Sequence, residues 1–152
     1  MKLDTIDKQL LVELQRDCKQ TNKELSAKLN LSVTAIYERI KKLERSGLIQ
    51  NYVALLDKKQ LDLGFMVFCH VKLTQHSGKY ITEFEREAIQ LEEVLECYHV
   101  SGEYDYLLKV VVKDMEHFRE FMINKLTSLQ HIGSTQSSFS INEVKNTTAV
   151  RL

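Results

Sequence analysis

Apolar residues in the first third of the chain recur at helical spacing. Ile6, Leu10, Leu11 and Leu14 share one face behind Asp4, which can cap a helix, and Asp7, whose charge suits a helix N-terminus. Thr21-Asn22-Lys23-Glu24 has the form of a capping box and opens a short helix that turns Leu25 and Leu29 inward. Asn30 tolerates a left-handed turn, and Ser32 can cap the next helix. This third helix is predicted from Val33 to Ser46, with Gly47 ending it. Two short helices joined by a tight turn, braced by an earlier helix, make a helix-turn-helix.

Beyond Gly47 the pattern changes. Ile49 to Leu56 is a β-type run that leads to a polar break at Asp57-Lys58-Lys59. Phe65 to Leu73 predicts a strand with Phe65, Val67, Cys69, Val71 and Leu73 on one face, and Met66, Phe68 and His70 on the other. Ile81, Phe84, Ala88 and Leu91 mark an amphipathic helix. Val94–Val100 and Tyr104–Val112 predict strands flanking the turn Ser101-Gly102-Glu103. Phe118, Phe121, Met122, Leu126 and Leu129 mark a second helix ended by Gly133, and Ser137–Val144 a last strand. That order, β-α-β-β-α-β, is the ferredoxin-like split unit. The fold class is therefore α+β. Residues 1–60 are expected to form a winged-type helix-turn-helix domain with a linker strand, and residues 61–152 a ferredoxin-like oligomerisation domain, to which the resemblance below adds effector binding. One face of the first strand serves the two helices. The second apolar face calls for another cover, and a second copy of the same sheet supplies it.

The third helix carries the chemistry of the first domain. Ile36, Ile40 and Leu43 fall within about 60° of one another at 100° per residue and form its buried stripe. The opposite face gathers Thr34, Tyr37, Glu38, Lys41, Lys42 and Arg45. In a helix-turn-helix that face enters the major groove of double-stranded DNA, N-terminal residues nearest the base edges. Thr34, Tyr37 and Glu38 are placed for bases and Lys41, Lys42 and Arg45 for phosphates, with Ser32 at the helix start as a further DNA-binding candidate.

Charge supports the division. The formal net charge is zero, yet residues 1–60 hold 12 Lys+Arg against 8 Asp+Glu and the remainder 9 against 13. A basic half facing a polyanion and an acidic half with other work is the reading. No apolar run approaches a membrane span, and the opening Met-Lys-Leu-Asp-Thr-Ile-Asp lacks an apolar signal core. Cys18, Cys69 and Cys97 are odd in number and lack metal-type spacing, which fits a reduced cytoplasmic protein. No nucleophile, phosphate-loop or metalloprotease motif is present, so no catalytic residue, cofactor or metal is expected. A dimeric ferredoxin-like enzyme would leave the N-terminal half unexplained. An amino-acid-sensing adaptor without DNA binding is the other alternative.

Longer segments then carry a resemblance. Leu3-Asp-Thr-Ile-Asp-Lys-Gln-Leu-Leu, Asn22-Lys-Glu-Leu-Ser-Ala-Lys-Leu and Tyr37-Glu-Arg-Ile-Lys-Lys-Leu-Glu-Arg-Ser-Gly-Leu-Ile resemble the DNA-binding half of the Lrp/AsnC, or feast/famine, regulators. Leu95-Glu-Cys-Tyr-His-Val-Ser-Gly-Glu-Tyr-Asp-Tyr-Leu-Leu and Ile141-Asn-Glu-Val-Lys are similar to the centre and ending of their regulatory half. The resemblance implies a transcriptional regulator that dimerises, often assembles to an octamer, and binds a small effector, usually an amino acid. Ser32-Val33-Thr34-Ala35 lacks the prolines common there, which bears on operator preference rather than on DNA binding. A zwitterion needs N–H donors for its carboxylate and an acidic acceptor for its ammonium group. What the resemblance implies for the turn is that Ser101, Gly102 and Asp105 hold the effector's main-chain groups, with Tyr104 as a wall.

Overall fold

The computed structural model describes residues 2–152 and divides into two compact units. One takes in the chain up to Leu55 together with Lys145–Leu152; the other is Leu56–Val144.

The first unit is helical: α1 (Thr5–Arg16), α2 (Asn22–Leu29) and α3 (Val33–Arg45). Each start is capped as its residues dictate. Asp4 and Asp7 close a capping box on α1, Thr21 and Glu24 another on α2, and Ser32 Oγ accepts from the Ala35 amide at 3.1 Å. Asn30 ends α2 at φ 52°, in the left-handed region. Leu10, Leu11, Leu14, Leu25, Ile36 and Leu43 are buried together where the helices meet. One clamp lies outside the apolar pattern. Asp7 is buried at 1% exposure, and the Arg39 guanidinium on α3 reaches its Oδ1 at 2.5 Å and Asp4 Oδ2 at 2.7 Å. At the C-terminus, Gln15 exchanges two hydrogen bonds with the Val150 backbone.

Ile49 to Leu56 is not a strand. Ile49 packs on the helical core and the Tyr52 hydroxyl donates to Glu44, but Val53, Leu55 and Leu56 are exposed. A strand needs an edge to pair with, and among the described residues this unit offers none.

The second unit is one sheet with two helices: β1 (Phe65–Leu73), α4 (Gly78–Ala88), β2 (Val94–His99), β3 (Tyr106–Val112), α5 (Met115–Asn124) and β4 (Ile132–Phe139). The antiparallel sheet runs β2-β3-β1-β4, the ferredoxin-like order. Val67, Cys69, Val71, Leu73, Tyr106, Leu108 and Val110 pack against Phe84, Ala88, Phe118 and Phe121 of the helices. Full burial stabilises each large side chain by about 1.5–3 kcal/mol. Met66, Phe68 and His70 alternate onto the opposite face and are only half-buried.

Several boundaries differ from expectation. β2 ends at His99 rather than Val100, and β3 begins at Tyr106 rather than Tyr104, which leaves Tyr104 and Asp105 in the connection. The last helix stops at Asn124, and a 3-10 turn (Leu126–Ser128) carries Leu126 into the core. β4 lies at Ile132–Phe139 rather than Ser137–Val144, because pairing with β1 places it. Ile141 and Val144, which carried the apolar signal, are exposed beyond it. Gly133 sits inside β4 where its chain passes β1 closely: a Cβ would meet the Thr74 nitrogen at 3.3 Å.

Candidate functional site

On α3 the proposed reading face is presented outward. Thr34, Tyr37, Glu38, Lys42 and Arg45 are exposed or partly exposed, and Lys41 is half-buried. Lys41 is already engaged. Its Nζ pairs with Glu44 Oε2 at 2.8 Å and sits 5.8 Å above the Tyr37 ring, and the Glu44 hydrogen bond holds its pKa above the ordinary lysine value. Lys42 lies 3.9 Å from Asp7, and Arg45 forms no salt bridge among the described residues. Lys42 and Arg45 are therefore the freer cations of this face. The Ser32 hydroxyl is occupied by capping, so it orients the helix start.

The turn between β2 and β3 gathers the other residues. Ser101 and Gly102 are exposed; Gly102 has φ 131° and open space where a Cβ would stand. That conformation strains any L side chain, so glycine keeps the turn both tight and uncovered. Tyr104 folds toward the helix-free face, its ring 5.3 Å from His70 and its hydroxyl donating to Gln136 at 2.6 Å.

Asp105 is built into the sheet. Its amide donates to the Val71 carbonyl at 2.9 Å, and its carbonyl accepts from Val100 at 2.8 Å. Where the β1–β3 ladder ends, its Oδ2 accepts from the Leu73 amide at 2.7 Å, standing in for the carbonyl that a longer strand would supply. The residue is 7% exposed. Its other oxygen, Oδ1, receives no backbone hydrogen bond among the described residues and faces His76 Nδ1 at 3.2 Å. Two features of the site have no signal in the sequence: the Leu73 bond, which no spacing rule encodes, and His76, which lies far back along the chain.

The remaining reactive side chains are quiet. Burial pushes the Cys69 thiol up to about 11, and burial likewise raises Cys97. Among the described residues, no group of three His, Cys, Asp or Glu side chains is placed to hold a metal ion, and no helix is long and apolar enough to cross a membrane.

A helix-turn-helix unit joined to a ferredoxin-like sheet with an exposed glycine turn defines a class: DNA-binding proteins that carry a regulatory domain. Comparison with known proteins makes it particular. The Lrp/AsnC ligand binding domain matches residues 66–150, and a winged helix-turn-helix DNA-binding family matches residues 3–50. The leucine-responsive regulatory proteins of Escherichia coli (strain K12) and Salmonella typhimurium are each 40% identical over 143 residues, spanning 94% of this chain and 87% of theirs. A transcriptional regulator from Neisseria meningitidis, crystallised as its L-Met complex, superposes with a TM-score of 0.94 at 34% identity, covering 99% of this chain and 97% of that one. An AsnC family regulator from Agrobacterium tumefaciens gives 0.89 at 34% identity, over 98% and 97%. The chain belongs to the Lrp/AsnC family of transcriptional regulators.

Proposed function

We propose that this regulator binds a two-fold operator as a homodimer, assembling further toward an octamer, and that a free amino acid at the 101–105 turn modulates that binding in the cytoplasm. The work is recognition, not catalysis. Thr34, Tyr37 and Glu38 read base edges while Lys42 and Arg45, with Lys41 in part, hold phosphates. Lys42→Ala is expected to weaken binding to every duplex alike and to reduce the salt slope by about one. Glu38→Ala is expected instead to change the ranking of operator variants, by about 1–3 kcal/mol at one base pair. Gel-shift titrations across a salt series separate the two; equal effects on specific and random duplexes from both variants would sink the assignment.

The observation that carries the effector reading is the division of labour within Asp105. One carboxylate oxygen is fixed by Leu73 and the other is left for a mobile donor. An amino acid's ammonium group is such a donor, and the exposed Ser101–Gly102 turn supplies backbone amides for its carboxylate. Asp105→Asn retains an oxygen for the Leu73 amide and removes the charge, so the fold is kept. It is expected to weaken amino-acid binding about 10–150-fold, the 1.5–3 kcal/mol of one charge-assisted bond, and to leave operator affinity unchanged. Calorimetry with L-leucine and L-methionine on both proteins checks this, and equal affinities would leave Asp105 a turn residue.

A further inference from the structure

The end of the sheet where β1 and β4 meet the start of α4 holds several histidine–carboxylate pairs. His131 Nε2 meets Glu83 at 3.0 Å, and Lys79 approaches the same carboxylate at 3.9 Å. His131 is also stacked on Tyr80 at 3.6 Å. His99 Nδ1 lies 3.9 Å from Glu85, which accepts from the buried Tyr106 hydroxyl at 2.8 Å. Both of those histidines answer to carboxylates of α4. His76 differs. It sits in the connection between β1 and α4, its side chain is 66% exposed, and its partner is the inward-facing Asp105 of the turn. Lys72 and Glu103, the nearest charges along β1 and the turn, are exposed, and neither has an ion pair among the described residues.

We propose that His76 is a displaceable stopper on the effector site: its imidazole covers Asp105 Oδ1 and must leave for a ligand's ammonium group to take that oxygen. The inference rests on the reading of the 101–105 turn as the effector site. Its physical basis is short. Asp105 Oδ2 is held by Leu73, so Oδ1 is the oxygen with capacity left, and the group already in front of it is an imidazole. A protonated imidazole and an ammonium group on that one oxygen would lie at contact distance and repel each other. When the imidazole is protonated, it binds the carboxylate as an ion and repels the incoming ammonium group. When it is neutral, displacing it costs one weak, solvent-replaceable contact. Effector binding is thereby coupled to proton release from His76. Affinity is full above the imidazole's titration range and falls as pH drops through it. His76 acts through Asp105 and is a positioning residue. It makes the regulator's sensitivity to its amino acid dependent on pH.

Two measurements on the full chain test this. The first needs no ligand: the His76 ring resonances are compared by NMR in the parent and in Asp105→Asn. They are expected to move when the facing carboxylate is lost; identical ring shifts would overturn the pairing. The second screens each of the twenty common L-amino acids alone by thermal shift at about pH 8 and about pH 5.5, followed by calorimetry of those that stabilise. In the parent the affinity is expected to fall about tenfold per pH unit below the imidazole midpoint. His76→Gln, a change at an exposed position, is expected to bind at least as tightly with a flat profile. If His76→Gln keeps the parent's pH profile, the stopper is refuted, while the loss in Asp105→Asn still upholds the effector site. If no amino acid stabilises the protein at either pH, the effector reading falls and the stopper with it.

Discussion

Phe68→Asp is expected to abolish the proposed homodimer and leave a monomer that aggregates at micromolar concentration. Phe68 lies mid-strand in β1 on the face without helices, opposite Lys109 of β3 and Ser138 of β4. Around it, Met66 and Leu107 extend the apolar surface, and Tyr98 is half exposed. Lys109 cannot neutralise the new carboxylate freely, because it is committed to Glu96 at 2.9 Å. Removing the ring forfeits about 1.5–3 kcal/mol of burial per copy, and an unpaired charge in the interface costs more. A two-fold axis applies each penalty twice, so the dissociation constant should rise by about four orders of magnitude or more. Met66→Asp, opposite Val111, should act the same way. Sedimentation velocity reads the outcome directly. A parent-like dimer in both variants would show that this face is covered by something other than a second copy.

Much of this molecule is legible in its sequence because the local rules and the fold agree. Asp4, Thr21 and Ser32 cap the three helices as their side chains require, and Asn30 turns left-handed where a short polar residue tolerates it. β1 is readable for a related reason: nine residues that suit a strand, apolar on both faces, run without a break, and the helices pack on the Val67, Cys69 and Val71 face. The failures occur where a long-range partner decides. β4 is written in Gly, Ser, Thr and Gln, with no periodic signal, and exists because β1 offers it an edge. Ile49 to Leu56 has the signal and no edge, and is no strand. The same logic applies at the site. The acid in the turn could be singled out by residue type, but its bond to Leu73 spans 32 positions and its facing histidine lies nearly as far back, distances over which sequence spacing is silent. Arg39 is the sharpest case. It lies beside the apolar stripe and passes for a surface cation, yet it reaches a carboxylate that α1 has buried.

That clamp carries the second large effect. Asp7→Ala is expected to destabilise the helical unit by about 3 kcal/mol, the lower end of what removing one member of a buried ion pair costs. The lower end applies because the Arg39 side chain is 28% exposed and keeps Asp4 at 2.7 Å. Three interactions are lost together: the Arg39 guanidinium at 2.5 Å, the back-donation from the Asp4 amide at 3.3 Å, and the weaker attraction of Lys42 at 3.9 Å. The first ties α1 to α3, so the cost is felt at the helix proposed to read DNA. For a unit of this size about 3 kcal/mol corresponds to a fall in melting temperature of roughly 12–24 °C. The melt belongs at neutral pH. The Asp4 carboxyl is held below the usual range by the Asp7 amide and then by Arg39; its contribution is complete above the unfolded carboxyl's pKa and is lost as pH falls through the depressed folded value. Asp7→Leu combined with Arg39→Met separates the pair from the space it fills, since replacing both charges by apolar groups leaves no ion unpaired. The double variant should melt well above Asp7→Ala while still binding duplex DNA. Were Asp7→Ala to melt within about 2 °C of the parent and bind operator equally well, the clamp would be a surface contact and α3 would owe its position to Leu10, Leu25, Ile36 and Leu43 alone.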